Sequence, residues 1–433
     1  MRKIFFVTLL ILIKTASSQK IVPFLNNNHK YTLVDSATMK PVQNAQYALF
    51  DGFHFSENLA IIGEFDSRYN LKVGVINKSG KVVVKLIYND ALDCKEGRVW
   101  VREYRKWVCY NTAGTIITYK LYDSATSFSD GMAMVRTGTK WGYIDKAGIE
   151  VIAPEYEMSK SFNEAVAWVK QNGKWGLLDR TGKIIVAPKY DWAADFSNGM
   201  AIVGLNQKKG FINKAGKEVV PVKYDEIGRG LFQEGMALVG IFDRYGYIDK
   251  TGKEVVPLKY GYSDDFSNGL GKVSDSTGRY FIDKTGKAVM HFSFKVFDYV
   301  GNFHEGVAAV QKNGKWGLID KKGKVIISLK YENLTDMNNG LAIATFNGKK
   351  GFINKAGKEI VPLIYDDVEI FYEEMAKVKK DNLYGFIDKT GKLVIQVKYK
   401  NADFFSGGIS KVIANDKGYI VFFIDKKGRE YKQ

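Results

Sequence analysis

Cysteine and histidine are almost absent from this 433-residue chain, which holds only Cys94 and Cys109, and His29, His54, His291 and His304. Two cysteines cannot build a disulfide scaffold or a cysteine-rich zinc site. Only His291 and His304 are near each other in sequence, thirteen residues apart, which is little to build a metal or acid–base site on. There are seven prolines. After residue 13 no apolar run approaches the roughly 20 residues that a membrane helix takes. Also missing are a serine nucleophile elbow, a phosphate loop and a His-Glu-x-x-His pair. These absences point away from an enzyme; no cofactor or metal is expected, and an active site would have to be assembled from scattered loops. What the chain does have is 43 Gly, 25 Tyr and 27 Phe, the composition of β structure with many tight turns. At 45% apolar and 26% charged residues, it is neither a disordered tail nor a membrane bundle.

The first 18 residues read as an export signal. Arg2 and Lys3 precede the apolar run from Ile4 to Ile13, and Ala16-Ser17-Ser18 supplies the small residues of a cleavage site. Cleavage there lowers the formal net charge of +17 to +14. A periplasmic or extracellular location is expected, with no membrane span in the mature chain. Residues 19–43 carry no repeat and read as a leader.

Residues 44–433 read as one unit repeated eleven times. Glycines recur from Gly80 to Gly428 at spacings of 34 to 37 residues, the mark of a solenoid or a propeller. Three residues before each stands Asp or Asn in every copy, as in Asp179-Arg-Thr-Gly182. An acid or amide opening a type I turn that closes on Gly predicts a hairpin with a glycine bulge. Eight residues after each glycine comes an aromatic, usually Tyr, as at Tyr190 and Tyr224. Further on lies a Phe row (Phe128, Phe162, Phe196, Phe266) in which Cys94 and Met337 take two places. Cys and Met replace Phe in a core but not in a stacking site, so this row reads as interior. The Tyr row reads as core with bonded hydroxyls or as a solvent-facing binding row.

Each unit is expected to hold three short strands. They follow the patterns Met-Ala-Ile-Val, Trp-Gly-Tyr-Ile-Asp and Glu-Val-Val-Pro-Val, and the turn joins the last two. The fold class is therefore all-β, with eleven three-stranded units stacked into an elongated β-solenoid-like array; one or two β-propellers are the alternative. Cys94 and Cys109 lie in one hairpin, where export permits a disulfide, although each also replaces a core side chain.

Lysine follows the turn acid and the turn glycine in most copies. In a stacked array these cations form a double row: Lys214, Lys217, Lys250, Lys253, Lys284, Lys287, Lys321, Lys324, Lys355 and Lys358. Lysine at exposed strand ends protects edges and aids solubility. The same row is a candidate site for a polyanion such as an acidic polysaccharide. Charge alone would also suit nucleic acid, but export argues against it; an envelope protein is the other partner considered.

Lys140-Trp-Gly-Tyr-Ile-Asp-Lys-Ala-Gly148 and its repeats, each followed by a Val-Val-Pro-x-x-Tyr-type strand, closely resemble the WG-containing β-repeat family of bacterial proteins. Copies at Trp107, Arg279 and Val421 lack the Gly, and only Trp107, Trp141, Trp175 and Trp316 keep the Trp. The resemblance implies a non-catalytic interaction scaffold, with no catalytic residues to carry over.

Overall fold

The computed structural model describes residues 55–431, apart from 119, 229–231, 407 and 415–420, together with the backbone of three strands upstream. The expected signal, residues 1–18, lies outside the described residues. Ile21–Leu25, Tyr31–Asp35 and Pro41–Tyr47 pair antiparallel in chain order. The segment read as a leader thus contributes two strands and part of a third, built from β-branched and aromatic residues that favour extended backbone.

From residue 55 onward the chain is all-β, with no helix among the described residues. Eleven sheets follow one another, one per copy, each a simple antiparallel meander, and no barrel closes. The fourth copy is representative: Met158–Ser159, Val166–Gln171, Lys174–Asp179 and Ile184–Tyr190 pair in that order. Nine of the eleven sheets have four strands where three were expected. The extra one is a two-residue lead strand after the Tyr row, such as Trp192–Ala193, too short to leave a period-2 signal. Hydrogen bonds and ion pairs from sheet to sheet join neighbouring copies.

The expected Asp-x-x-Gly turn is present. Asp179 Oδ1 accepts the N–H groups of Thr181 at 2.9 Å and Lys183 at 3.1 Å, and Gly182 N–H donates to the Asp179 carbonyl at 3.0 Å with φ at +86°. Where the turn holds Asp followed two residues later by Thr, the Thr hydroxyl and then backbone N–H groups hold the carboxyl below its ordinary value of 3.8, as at Asp249, Asp283 and Asp388. Folding lowers these pKa values, so the turns contribute stability that is complete above about pH 4 and is lost as pH falls through the folded pKa. Copies with Asn at this position, such as Asn213 and Asn354, add nothing to that loss. Asp249→Asn is accordingly expected to narrow the gap between urea midpoints at pH 7 and pH 3.

The Gly of the Trp-Gly step has a backbone role. Trp175 pairs with Tyr190 and Leu177 with Val186, so the outer strand spends two extra residues opposite Gly176. A β-carbon on Gly176 would come within 2.7 Å of the Val186 carbonyl oxygen; on Gly246 it would come within 2.3 Å of that of Val256. The glycine admits the crowded backbone of a bulge. The seventh copy carries Tyr280 there, and its strands pair without the extra residues: Arg279 with Phe292, Tyr280 with His291 and Phe281 with Met290. Phe292, not Phe294, therefore fills the Tyr-row position. Phe292 is buried, while Phe294 is displaced to the surface beneath Arg279.

Candidate functional site

Both aromatic rows are interior. Phe128, Phe162, Phe196, Phe266, Phe303 and Phe405 are buried, as are Cys94 and Met337, while Phe232 and Phe371 are half-buried. The Tyr row is core, and several of its hydroxyls are bonded: Tyr190 is fully buried and donates to Glu218 of the next copy at 3.1 Å, and Tyr122 and Tyr399 do the same to Glu150 and Glu430. It offers no solvent-facing binding row. Cys94 and Cys109 are free and buried, and burial pushes their thiols up to about 11 and about 12.

The double row of cations divides into two rows with different surroundings. In the row after the turn acid, Lys214 pairs with Glu164 at 3.5 Å, Lys284 with Glu234 at 3.3 Å and Lys355 with Glu305 at 3.4 Å. Lys321 donates to the Asn268 carbonyl at 2.7 Å. Each partner sits in the preceding copy, two residues after the Phe row, in a tight turn with positive φ. The same acids also accept a backbone N–H from the following copy. Gly199 donates to Glu164 at 2.8 Å, Gly269 to Glu234 at 2.9 Å and Gly340 to Glu305 at 3.0 Å. Acid and lysine together form a ladder that links copy to copy. Lys250 has Asn198 at the corresponding turn position and forms no ion pair among the described residues.

In the row after the turn glycine, Lys217, Lys253, Lys287, Lys324 and Lys358 are all exposed. Their backbone N–H groups close the turns, as at Lys217 and Lys358, each 3.0 Å from its Asn side chain. Their ammonium groups form no ion pair among the described residues. The acidic ladder was missed from sequence, although Asp, Glu or Asn stands two residues after the Phe row in ten copies. That recurrence was the available signal.

A groove of about 940 Å³ opens across the seventh to tenth copies, its lining including Leu341, Ile343, Phe352, Asn338, Asn339 and Lys389. It lies where Met337 replaces Phe and Asn339 replaces the ladder acid, leaving Lys389 paired with Glu374 at 3.4 Å. His304 faces Asp336 at 3.5 Å, whereas His291 stacks on Tyr280. The described residues hold no cluster of three or more metal-ligating side chains.

The WG containing repeat model matches the chain ten times in tandem, over residues 74–107, 109–141, 141–175, 175–208, 210–241, 245–275, 281–316, 316–349, 351–384 and 384–417. No curated protein matches the sequence. Among solved structures, the chain is similar to a eukaryotic initiation factor at 11% identity, covering 87% of this chain and 95% of that one, with a TM-score of 0.36. It is also similar to the extracellular domain of a putative one-component system from B. thetaiotaomicron, at 13% identity over 91% of this chain and 66% of that one, with a TM-score of 0.26. A third is PorZ, a surface component of the type-IX secretion system of Porphyromonas gingivalis, at 11% identity over 92% and 70%, with a TM-score of 0.23. With ten tandem matches over residues 74–417 and eleven sheets built to one pattern, the chain belongs to the WG containing repeat family.

Proposed function

We propose that the chain is an exported, non-catalytic scaffold that binds a partner along its repeat axis, and that the row after the turn glycine receives a polyanion. The observation that carries this reading is the different surroundings of the two rows. Lysines used in the ladder are engaged between copies, whereas Lys217, Lys253 and Lys287 project one exposed cation per copy at a fixed register. One cation per copy suits a linear polyanion, and such binding weakens steeply with salt because counterions are released. Export is supported by the charged, apolar and small-residue segments of residues 1–18. No helix among the described residues is long and apolar enough to cross a membrane.

Heparin chromatography of the chain lacking residues 1–18 tests the polyanion site. Retention is expected at low salt and loss of it at high salt, with earlier elution after Lys217→Gln, Lys253→Gln and Lys287→Gln are combined. Passage without retention at low salt, or retention unchanged by the triple substitution, would leave the row a solubility device.

A further inference from the structure

The hairpin tips lie at the other end of each sheet from the basic turns, about 17–20 Å away along six-residue strands. The fifth to eighth copies all expose aromatic rings at that end, as do the tips of the second and ninth copies with Tyr104 and Phe346. Trp192, Tyr262 and Tyr299 occupy the same position, the first residue of the lead strand, and each is nearly half exposed, at 47, 47 and 46%. Other copies put Ser124, Asn333 or Asn401 there. In the sixth copy the lead strand begins with Glu226, but the hairpin tip carries Phe242, 83% exposed.

Phe242 has φ at +48° in a two-residue tip where the fourth, eighth and ninth copies place Asn172, Asn313 and Asn347, and where the second copy places Tyr104, also exposed and at φ +53°. A bulky side chain is disfavoured at positive φ, and such an outlier in an exposed turn directs attention to function. The four rings of the fifth to eighth copies also have close neighbours. Trp192 lies over Gly204, where a β-carbon would already touch it at 3.6 Å. The Lys208 ammonium is 5.2 Å from the Phe242 ring. Lys272 lies between Tyr262 and Tyr299, 5.7 and 5.8 Å from their centroids, and Tyr299 leans on Trp316 at 5.4 Å.

We propose that this edge is a stacking platform for an uncharged linear polysaccharide. Half-exposed rings at a repeated position offer flat faces to the C–H faces of successive sugars, and Ser274 and Gln311, directly across from Tyr262 and Tyr299, supply polar groups for hydroxyls. The cations among the rings are already matched: Lys272 pairs with Asp264 at 2.8 Å, and Lys208 pairs with Asp225. The platform therefore selects for no charge on its ligand, unlike the basic row at the opposite end. This inference rests on the reading of the chain as a binding scaffold, but it names a different edge and a ligand of different charge.

Affinity electrophoresis of the chain lacking residues 1–18, through gels cast with a neutral β-glucan, xylan or mannan, tests it at low and high salt. At least one polysaccharide is expected to retard the protein equally at both. Combining Trp192→Ala, Tyr262→Ala and Tyr299→Ala should weaken that retardation by about tenfold or more, with an unchanged circular dichroism spectrum and melting temperature. The Lys217, Lys253 and Lys287 variant should be retarded like the wild type. Retardation by none of the three polymers, or retardation indifferent to the aromatic substitutions, would overturn the platform. If heparin is retained through the lysine row at the same time, the scaffold reading stands and only the platform falls.

Discussion

Gly246→Ala is expected to destabilise the sixth sheet by about 3 kcal/mol, the upper end of the ordinary range for overpacking. The added methyl would sit 2.3 Å from the Val256 carbonyl oxygen and 2.8 Å from the carbonyl carbon and oxygen of Pro257. These are backbone atoms held by pairing on both sides of the bulge, so no rotamer change relieves the clash. One escape is the one the seventh copy uses, in which the outer strand gives up its two extra residues and pairs regularly. Another is that of the second copy, where Val108 takes the glycine's place and no outer strand is formed among the described residues. For the sixth copy the first escape would shift Tyr260 out of its buried position. Gly261→Ala is the control, because a β-carbon there meets nothing within 4 Å and its φ is not in the left-handed region. Urea midpoints that fall equally for both substitutions would show that the bulge does not set the cost.

The same glycine marks how far the sequence could be read. Its recurrence, the Asp-x-x-Gly turn and the interior Phe row are all visible as rows of one internal alignment. The two-residue bulge is not, because a bulge changes which residues face each other without changing the period. For that reason counting from Gly286 places Phe294 in the Tyr row, while pairing puts Phe292 there. The candidate lysines do sit in the expected turns, but sequence could not divide them into a clasped row and an exposed one. That division depends on an acid about fifty residues earlier, brought close only by stacking.

Core volume was hidden in a similar way. Cross-strand partners compensate for one another: Trp168 faces Leu177 and Trp100 faces Cys109, whereas Met134 faces Tyr143. From the second to the seventh copy, one large ring per hairpin is supplied from either strand. In the eighth copy Ala309 faces Leu318 and the next Phe-row place is Met337, so no ring is supplied from any of the three positions. The groove opens beside this deficit. The individual residues were legible, but their facing relation was not.

Phe196→Ala should cost about 3–5 kcal/mol, as truncation of a buried Phe does where the surroundings cannot collapse. Phe196 is buried and stacks on Trp168 of the preceding copy at 5.9 Å with nearly parallel rings. Its removal therefore opens a void between two sheets and strips one face of a buried indole whose N–H donates to the Ala194 carbonyl at 2.7 Å. In an array whose copies touch their neighbours, such a defect is felt locally, because stability is a sum of unit and interface contributions. Hydrogen exchange should then lose protection across residues 158–224, the fourth and fifth sheets, while the strands Val307–Lys312 and Lys315–Asp320 exchange as in the wild type. A uniform loss of protection from the first sheet to the last would mean that the array unfolds as one cooperative body, and the nearest-neighbour account of its stability would have to be given up.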